Sequence, residues 1–168
     1  MFLSIDINKN SIDSNNIIIS DKTKNNVISN PNSSYSRILY SNTHVTFNGL
    51  LLNFVLNGAR VVDSYNKILC HVNDNTIIQK ILEIEDIILC KYNSRKNKKY
   101  KLAEILKEKC IRIFKNDRIN LNNTQTKSIT KKIDVNKPVN IILKISGIWE
   151  DNKEYGLTMK FFIQNTKN

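Results

Sequence analysis

Glycine and proline are scarce: four glycines and two prolines in 168 residues. The glycines (Gly49, Gly58, Gly147, Gly156) stand too far apart to build a glycine-rich phosphate loop. Histidine and cysteine are almost as rare. Cys70, Cys90 and Cys110 are widely spaced, odd in number and lack a Cys-x-x-Cys pair, which speaks against a disulfide framework and against zinc. Each lies beside apolar residues and is expected to be a buried free thiol in a reducing compartment. His44 and His71 enter no Ser/His/Asp or Cys/His grouping with the context of a nucleophilic site, and Cys70-His71 with Cys90 and Cys110 has zinc-ligand chemistry but neither the spacing nor the context of a known site. The acidic pairs Glu83/Asp86 and Glu150/Asp151 have the chemistry for Mg²⁺, but one lies on an amphipathic helix and the other in a turn, where solvated roles are expected. No enzymatic activity, cofactor or metal is therefore expected. No apolar run approaches a membrane span and no charged-then-apolar leader opens the chain, so a soluble intracellular protein is expected.

Acidic residues are also in deficit, 15 against 26 basic ones, for a net charge of +11. Such a balance favours an acidic partner, nucleic acid first and an anionic membrane surface second. The 26 asparagines and the small number of arginines, five, are what A/T-rich codons produce. That bias does not explain why Asp and Glu, also encoded by A-containing codons, are so outnumbered.

The length suits one domain with a real core. Residues 1–34, rich in Asn, Ser and Lys, read as a loosely ordered arm able to add a strand to a sheet edge. Residues 35–168 read as a single nucleic-acid-binding domain. Short strands are expected at Tyr35–Tyr40, His44–Phe47, Leu50–Leu56, Ala59–Val62 and Lys67–Val72, with Asn57-Gly58 as a two-residue hairpin turn. The period then becomes helical. Ile77, Ile78, Ile81, Leu82, Ile84, Ile87 and Ile88 recur at helical spacing up to about Lys91, after the N-cap candidates Asn73–Thr76. A second helix is expected over about Tyr100–Phe114.

Between the two helices runs Lys91-Tyr-Asn-Ser-Arg-Lys-Asn-Lys-Lys-Tyr-Lys101, with six basic residues and no acid. Lys91, Arg95, Lys96, Lys98, Lys99 and Lys101, bracketed by Tyr92 and Tyr100, suit phosphate contacts and base stacking on a nucleic-acid strand. Lys127, Lys131, Lys132 and Lys137 make a second basic stretch before Pro138.

Two alternating runs close the chain, Val139–Ser146 and Tyr155–Gln164, around the polar turn Glu150–Glu154. They predict a β-hairpin with Val139, Ile141, Leu143 and Ile145 facing inward beside Leu157, Met159, Phe161 and Ile163. A turn centred near Asn152 sets Lys144 opposite Lys160 and Ile142 opposite Phe162. Paired lysines repel unless an anion sits between them. With Phe162 exposed beside them, Lys144 and Lys160 offer a phosphate clamp and a stacking ring. Trp149 reads either as a core keystone or as a stacking platform; the small neighbours Gly147 and Gly156 favour the core. The whole plan is α+β: an OB-fold-like small β-barrel with a two-helix insertion and a C-terminal β-hairpin.

The stretch Ile141–Gln164 resembles the C-terminal hairpin of phage-type single-stranded DNA-binding proteins, a family also found in large nucleocytoplasmic DNA viruses and related DNA elements. Gly147, Ile148, Trp149, Gly156, Lys160 and Gln164 take the places of that hairpin's apolar strand ending in Gly-Ile-Trp, its polar turn, and its alternating return strand finishing in Gln. Gly147, Trp149, Tyr155 and Gly156 are then structural positions. Close matching covers about 25 residues, and the general layout is similar more loosely. The resemblance implies an OB-type barrel, non-sequence-specific binding of single-stranded DNA, a role in replication and no catalysis. A replicative polymerase or helicase and further copies of the chain are the protein partners to expect, and the host cytoplasm or a viral replication site is the expected location. Phage members end in a strongly acidic tail, whereas this sequence closes with Ile163-Gln-Asn-Thr-Lys-Asn168, so tail-mediated recruitment is not expected to carry over. Two rival classes stand beside this reading. One is a double-stranded DNA- or RNA-binding accessory factor that uses Arg95–Lys101 as a groove clamp. The other is a basic virion structural protein.

Overall fold

The computed structural model of the chain describes residues 4–25, 32–63, 66–114, 118–119 and 138–164. In chain order its strands begin with β1 (Ile5–Asp6), β2 (Ile17–Ile19), β3 (Thr23–Lys24), β4 (Ser34–Ser41) and β5 (Thr46–Asn48). Then come β6 (Leu50–Leu56), β7 (Val61–Asp63), β8 (Lys67–His71) and helix α1 (Asn75–Tyr92). After β9 (Asn97–Lys99), α2 (Lys101–Lys107), β10 (Cys110–Phe114) and β11 (Arg118–Ile119), the last described elements are β12 (Val139–Glu150) and β13 (Glu154–Gln164). The class is α+β, mostly strands with two helices among the described residues.

The closing hairpin is the spine. Lys144 pairs with Lys160 and Ile142 with Phe162, the register that alternation predicts. Its turn is fixed by Asp151, whose Oδ1 accepts from the backbone N–H of Lys153 (2.8 Å) and of Glu154 (2.9 Å). Along its other edge β12 holds β6 through Val139–Ile145 and β4 through Gly147–Glu150. One residue, Ser146, is bulged between these halves. A bulge adds a residue on one strand only, so it bends the strand and shifts which residues face the core. Before it Ile141, Leu143 and Ile145 point inward; after it Ile148 does, and all four are fully buried.

The inward face of this sheet packs Leu50, Leu52 and Phe54 of β6 against the same side of β12 and β13, and α1 adds Ile81 and Ile88. Asp74 caps α1, accepting from the N–H of Thr76 (2.9 Å) and Ile77 (3.2 Å), two of the donors that a helix start leaves unpaired. The fully buried Glu85 does the same for α2, accepting from Leu102 N–H (2.9 Å) and Ala103 N–H (3.0 Å). Burial pushes its carboxyl pKa up, and those N–H bonds oppose the shift.

Several expectations are corrected. The second helix ends at Lys107, and Cys110–Phe114 is a strand paired with β8. Cys-Ile-Arg-Ile-Phe alternates, buries Ile111 and Ile113, and turns away from the helix at Lys109, whose φ is +49°. Asn57-Gly58 forms a turn with Gly58 at φ +64°, but not a hairpin. β6 stays in the large sheet, and β7 joins β8 and β10 in a second one. The N-terminal segment is more than an arm: β1, β2 and β3 join the sheet, and Ile7 and Ile17 enter the core. Among the described residues the strands do not close into a barrel. No described helix is long and apolar enough to cross a membrane.

Candidate nucleic-acid interface

The side of the hairpin sheet turned away from the core carries rows of cross-strand neighbours. Leu51, Lys144 and Lys160 form one row, and Asn53, Ile142 and Phe162 the next. Phe162 is half-buried rather than exposed, with the Lys160 ammonium 5.6 Å from its ring centroid. Ile142 is 1% exposed although it lies outside the main core cluster. The lysines therefore flank an apolar floor. Lys144 makes no ion pair among the described residues. Its stem runs toward Gly49, where a Cβ would lie 3.4 Å from Cε; Gly49 has φ +99°, a conformation only glycine adopts readily.

The Ser146 bulge extends this face. Uninterrupted alternation would turn Trp149 inward with Ile145. With one residue bulged, Ile148 takes the core position and Trp149 turns outward, half-buried and outside the core. Core packing of Trp149 is thus corrected. The indole lies across Gly156, where a Cβ would sit 3.1 Å from Cζ2. Tyr35 of β4, paired with Trp149, leans the other way over Gly147, where a Cβ would overlap its ring. The two glycines are therefore flat places on which two aromatic rings rest. Arg37, paired with Gly147, is exposed on the same side and has no ion pair among the described residues. Sequence reasoning missed Tyr35 and Arg37. Their signal, a ring and a guanidinium two residues apart on a strand, gains meaning only once β4 is known to pair with β12.

Acids stand only at the borders of this face among the described residues. Glu154 is held by Lys99 at 3.2 Å. Asp6, paired with Asn53, accepts from Asn8 N–H at 3.0 Å and lies 3.9 Å from Lys9.

The basic loop behaves differently. Asn97–Lys99 runs as β9 parallel to β13, against Glu154–Gly156. Lys96 reaches Glu150 (2.8 Å) and also donates to the Asp151 carbonyl. Lys98 lies 3.8 Å from Asp86 and 2.9 Å from Cys90 Sγ, and Lys91 donates to the Ser14 carbonyl at 2.7 Å. Tyr92 packs against Tyr155 (5.3 Å between centroids), whose hydroxyl donates to Leu89 O. The Tyr100 hydroxyl donates to Asp86 at 2.7 Å. Only Arg95 and Lys101 of the six bases leave their side chains without a bond among the described residues. The open groove between this loop and α2 is lined by Lys98, Lys99 and Lys107 but also by Glu104 and Glu154.

Glu150 shows how the sign of a residue's environment can be hidden in sequence. Expected in a solvated turn, it is 5% exposed and gripped by Lys96 and by Lys22 at 2.9 Å. Burial alone would raise its pKa; the hydrogen bonds from Lys96 and Lys22 outweigh that and hold it at about 2. Cys90 is exposed, contrary to expectation, whereas Cys70 is buried and its thiol is pushed up to about 12 by desolvation. The basic stretch Lys127–Lys137 lies outside the described residues. No protein-family model matches the chain, and neither the curated proteins nor the solved structures contain one significantly similar to it.

Proposed function

We propose that this chain is a non-enzymatic single-stranded DNA-binding protein of DNA replication, which holds its ligand without general sequence readout. The observation that carries the reading is the outward face of β4, β12, β13 and β6. There Trp149, Tyr35 and Phe162 alternate with Arg37, Lys144 and Lys160, and acids are confined to the borders. A single strand presents unstacked bases to such rings and phosphates to such cations, whereas a duplex keeps its bases stacked inside. Along β13, Gly156 under the indole and Phe162 are about 20 Å apart at roughly 3.4 Å per residue. That is a track for a few nucleotides.

The replication role, and a polymerase or helicase as neighbour, rest on the likeness of Ile141–Gln164 to viral and phage proteins of this kind. A partly open oligonucleotide-binding barrel belongs to the same proposal. It is supported by the bend of β12, which lets one long strand serve two arms of sheet. The test is fluorescence anisotropy with a mixed-sequence single strand and a duplex of equal length, in competition. Preferential binding of the single strand, weakening with salt, is the expected result. Equal or better binding of the duplex would favour the groove-clamp class instead.

A further inference from the structure

The three-strand grid contains a feature that stacking and charge do not use. Asn53 on β6 and Asn140 on β12 are diagonal neighbours on the outward side: Asn53 pairs with Ile142, and Asn140 with Val55. The Oδ1 atoms of both are buried and make no hydrogen bond among the described residues. Asn140 Nδ2 donates to Gln164 Oε1 at 2.8 Å, which leaves its oxygen as the unpaired end. Buried acceptors without a partner are rare in folded proteins, and two side by side are rarer. Beside them lie Ile142 as an apolar floor and the Phe162 ring, with Lys144 and Lys160 one row further along. A pair of cations, a stacking surface and two hydrogen-bond acceptors are thus set out in the order in which a nucleotide presents phosphate, base plane and base edge.

We infer that Asn53 and Asn140 form a base-edge slot that selects nucleotides with an exocyclic amino group, cytosine or adenine, over thymine or uracil. The slot presupposes the single-strand track proposed above and adds one selective position to it. The 4-amino group of cytosine and the 6-amino group of adenine donate, as the two oxygens require; thymine and uracil present a carbonyl there and would face acceptor with acceptor. Asp6, opposite Asn53 on β1, adds a further acceptor and a negative charge on the same border.

The experiment compares oligo-dC with oligo-dU of equal length, at fixed salt and mildly alkaline pH, on the full chain. Oligo-dC should bind roughly tenfold more tightly, the discrimination of one good edge contact. An oligonucleotide of N4,N4-dimethylcytosine, which keeps the ring but lacks the donors, should fall to the oligo-dU level. This probe needs no protein variant. In the Asn53→Leu/Asn140→Leu variant the dC-to-dU ratio should approach one through loss of dC affinity, with dU binding retained. Equal binding of oligo-dC and oligo-dU by the unaltered protein, both measurable, overturns the slot and leaves the track standing. Failure to bind either strand overturns the single-strand reading itself, and the slot with it.

Discussion

The outward face of the hairpin sheet and the loop from Lys91 to Lys101 are built from the same materials, lysines set among aromatic rings. They differ in what those side chains touch. In the loop, Lys96, Lys98 and Lys99 meet Glu150, Asp86 and Glu154, Tyr92 is packed inward, and the Tyr100 hydroxyl is bonded to Asp86. On the face, Lys144 and Arg37 have no acidic partner among the described residues, and Trp149 and Tyr35 rest on glycines. Charge counted along a chain is therefore a poor guide to charge offered to a ligand. The loop's positive residues mainly fasten α1, β9 and the hairpin turn to one another, while the face is the part left to meet an anion.

The comparison can be broken in four ways. The largest effect should come from separating the two sides of β13. Phe161, inward and 7% exposed, should cost about 3–5 kcal/mol of stability as Phe161→Ala, whereas Phe162→Ala should stay within about 1 kcal/mol. Thermal or urea unfolding decides this, and similar losses for both would mean that the outward side is a second core.

Next in size is Trp149→Ala. A stacking ring contributes about 1–3 kcal/mol per base. Affinity for single-stranded DNA should therefore fall roughly five- to hundredfold at nearly unchanged melting temperature. A collapse in melting temperature would return the indole to a structural role.

Salt dependence then sharpens the contrast between the regions. Changing Arg37, Lys144 and Lys160 together to Gln should flatten the log K against log salt slope by about 2, at roughly 0.7 per phosphate contact. The same change at Lys96, Lys98 and Lys99 should leave the slope nearly intact and lower stability, because it strips the buried Glu150 of one of its two lysines. A reversed outcome would restore the loop as the phosphate clamp.

The smallest effect concerns acid. Glu150 has a folded-state pKa near 2 against an ordinary 4.5. Its contribution is thus full above about pH 4.5 and is lost as the pH falls through about 2, below which folded and unfolded forms are both protonated. Glu150→Gln should remove that part of the pH dependence between those limits. An unchanged acid limb of the stability profile would show that the two lysines do not hold this carboxylate.

How much of this was legible beforehand follows from the kinds of signal involved. The strand Leu50–Leu56, the helix after Asp74 and the Lys144–Lys160 register all announce themselves through local periodicity and capping. The Ser146 bulge does not, because a bulge is a property of a pair of strands and leaves each strand's composition intact. Reading through it sends Trp149 to the wrong side. In the same way the acids that hold Lys96 and Lys99, Glu150 and Glu154, lie 54 and 55 residues away along the chain. Cys110–Phe114 reads as helix in the sequence because Cys110 and Ile113 match a helical spacing as well as a strand. The pairing with β8 settles which period wins.

The place of β12 in the sheet also has a consequence in time. β4 and β6 find their hydrogen-bonding edge on β12, not chiefly on each other, so the segments made first wait for the segment made later. At a synthesis rate of roughly 5–20 residues per second, most of the chain leaves the ribosome several seconds before its spine exists. During that interval Leu50–Leu56 is an apolar strand with an open edge, the kind of surface that chaperones hold and that aggregation exploits. A chain stopped at Pro138 should accordingly lack a cooperative unfolding transition and bind hydrophobic dyes, whereas addition of a peptide spanning residues 139–164 should restore ordered β-structure.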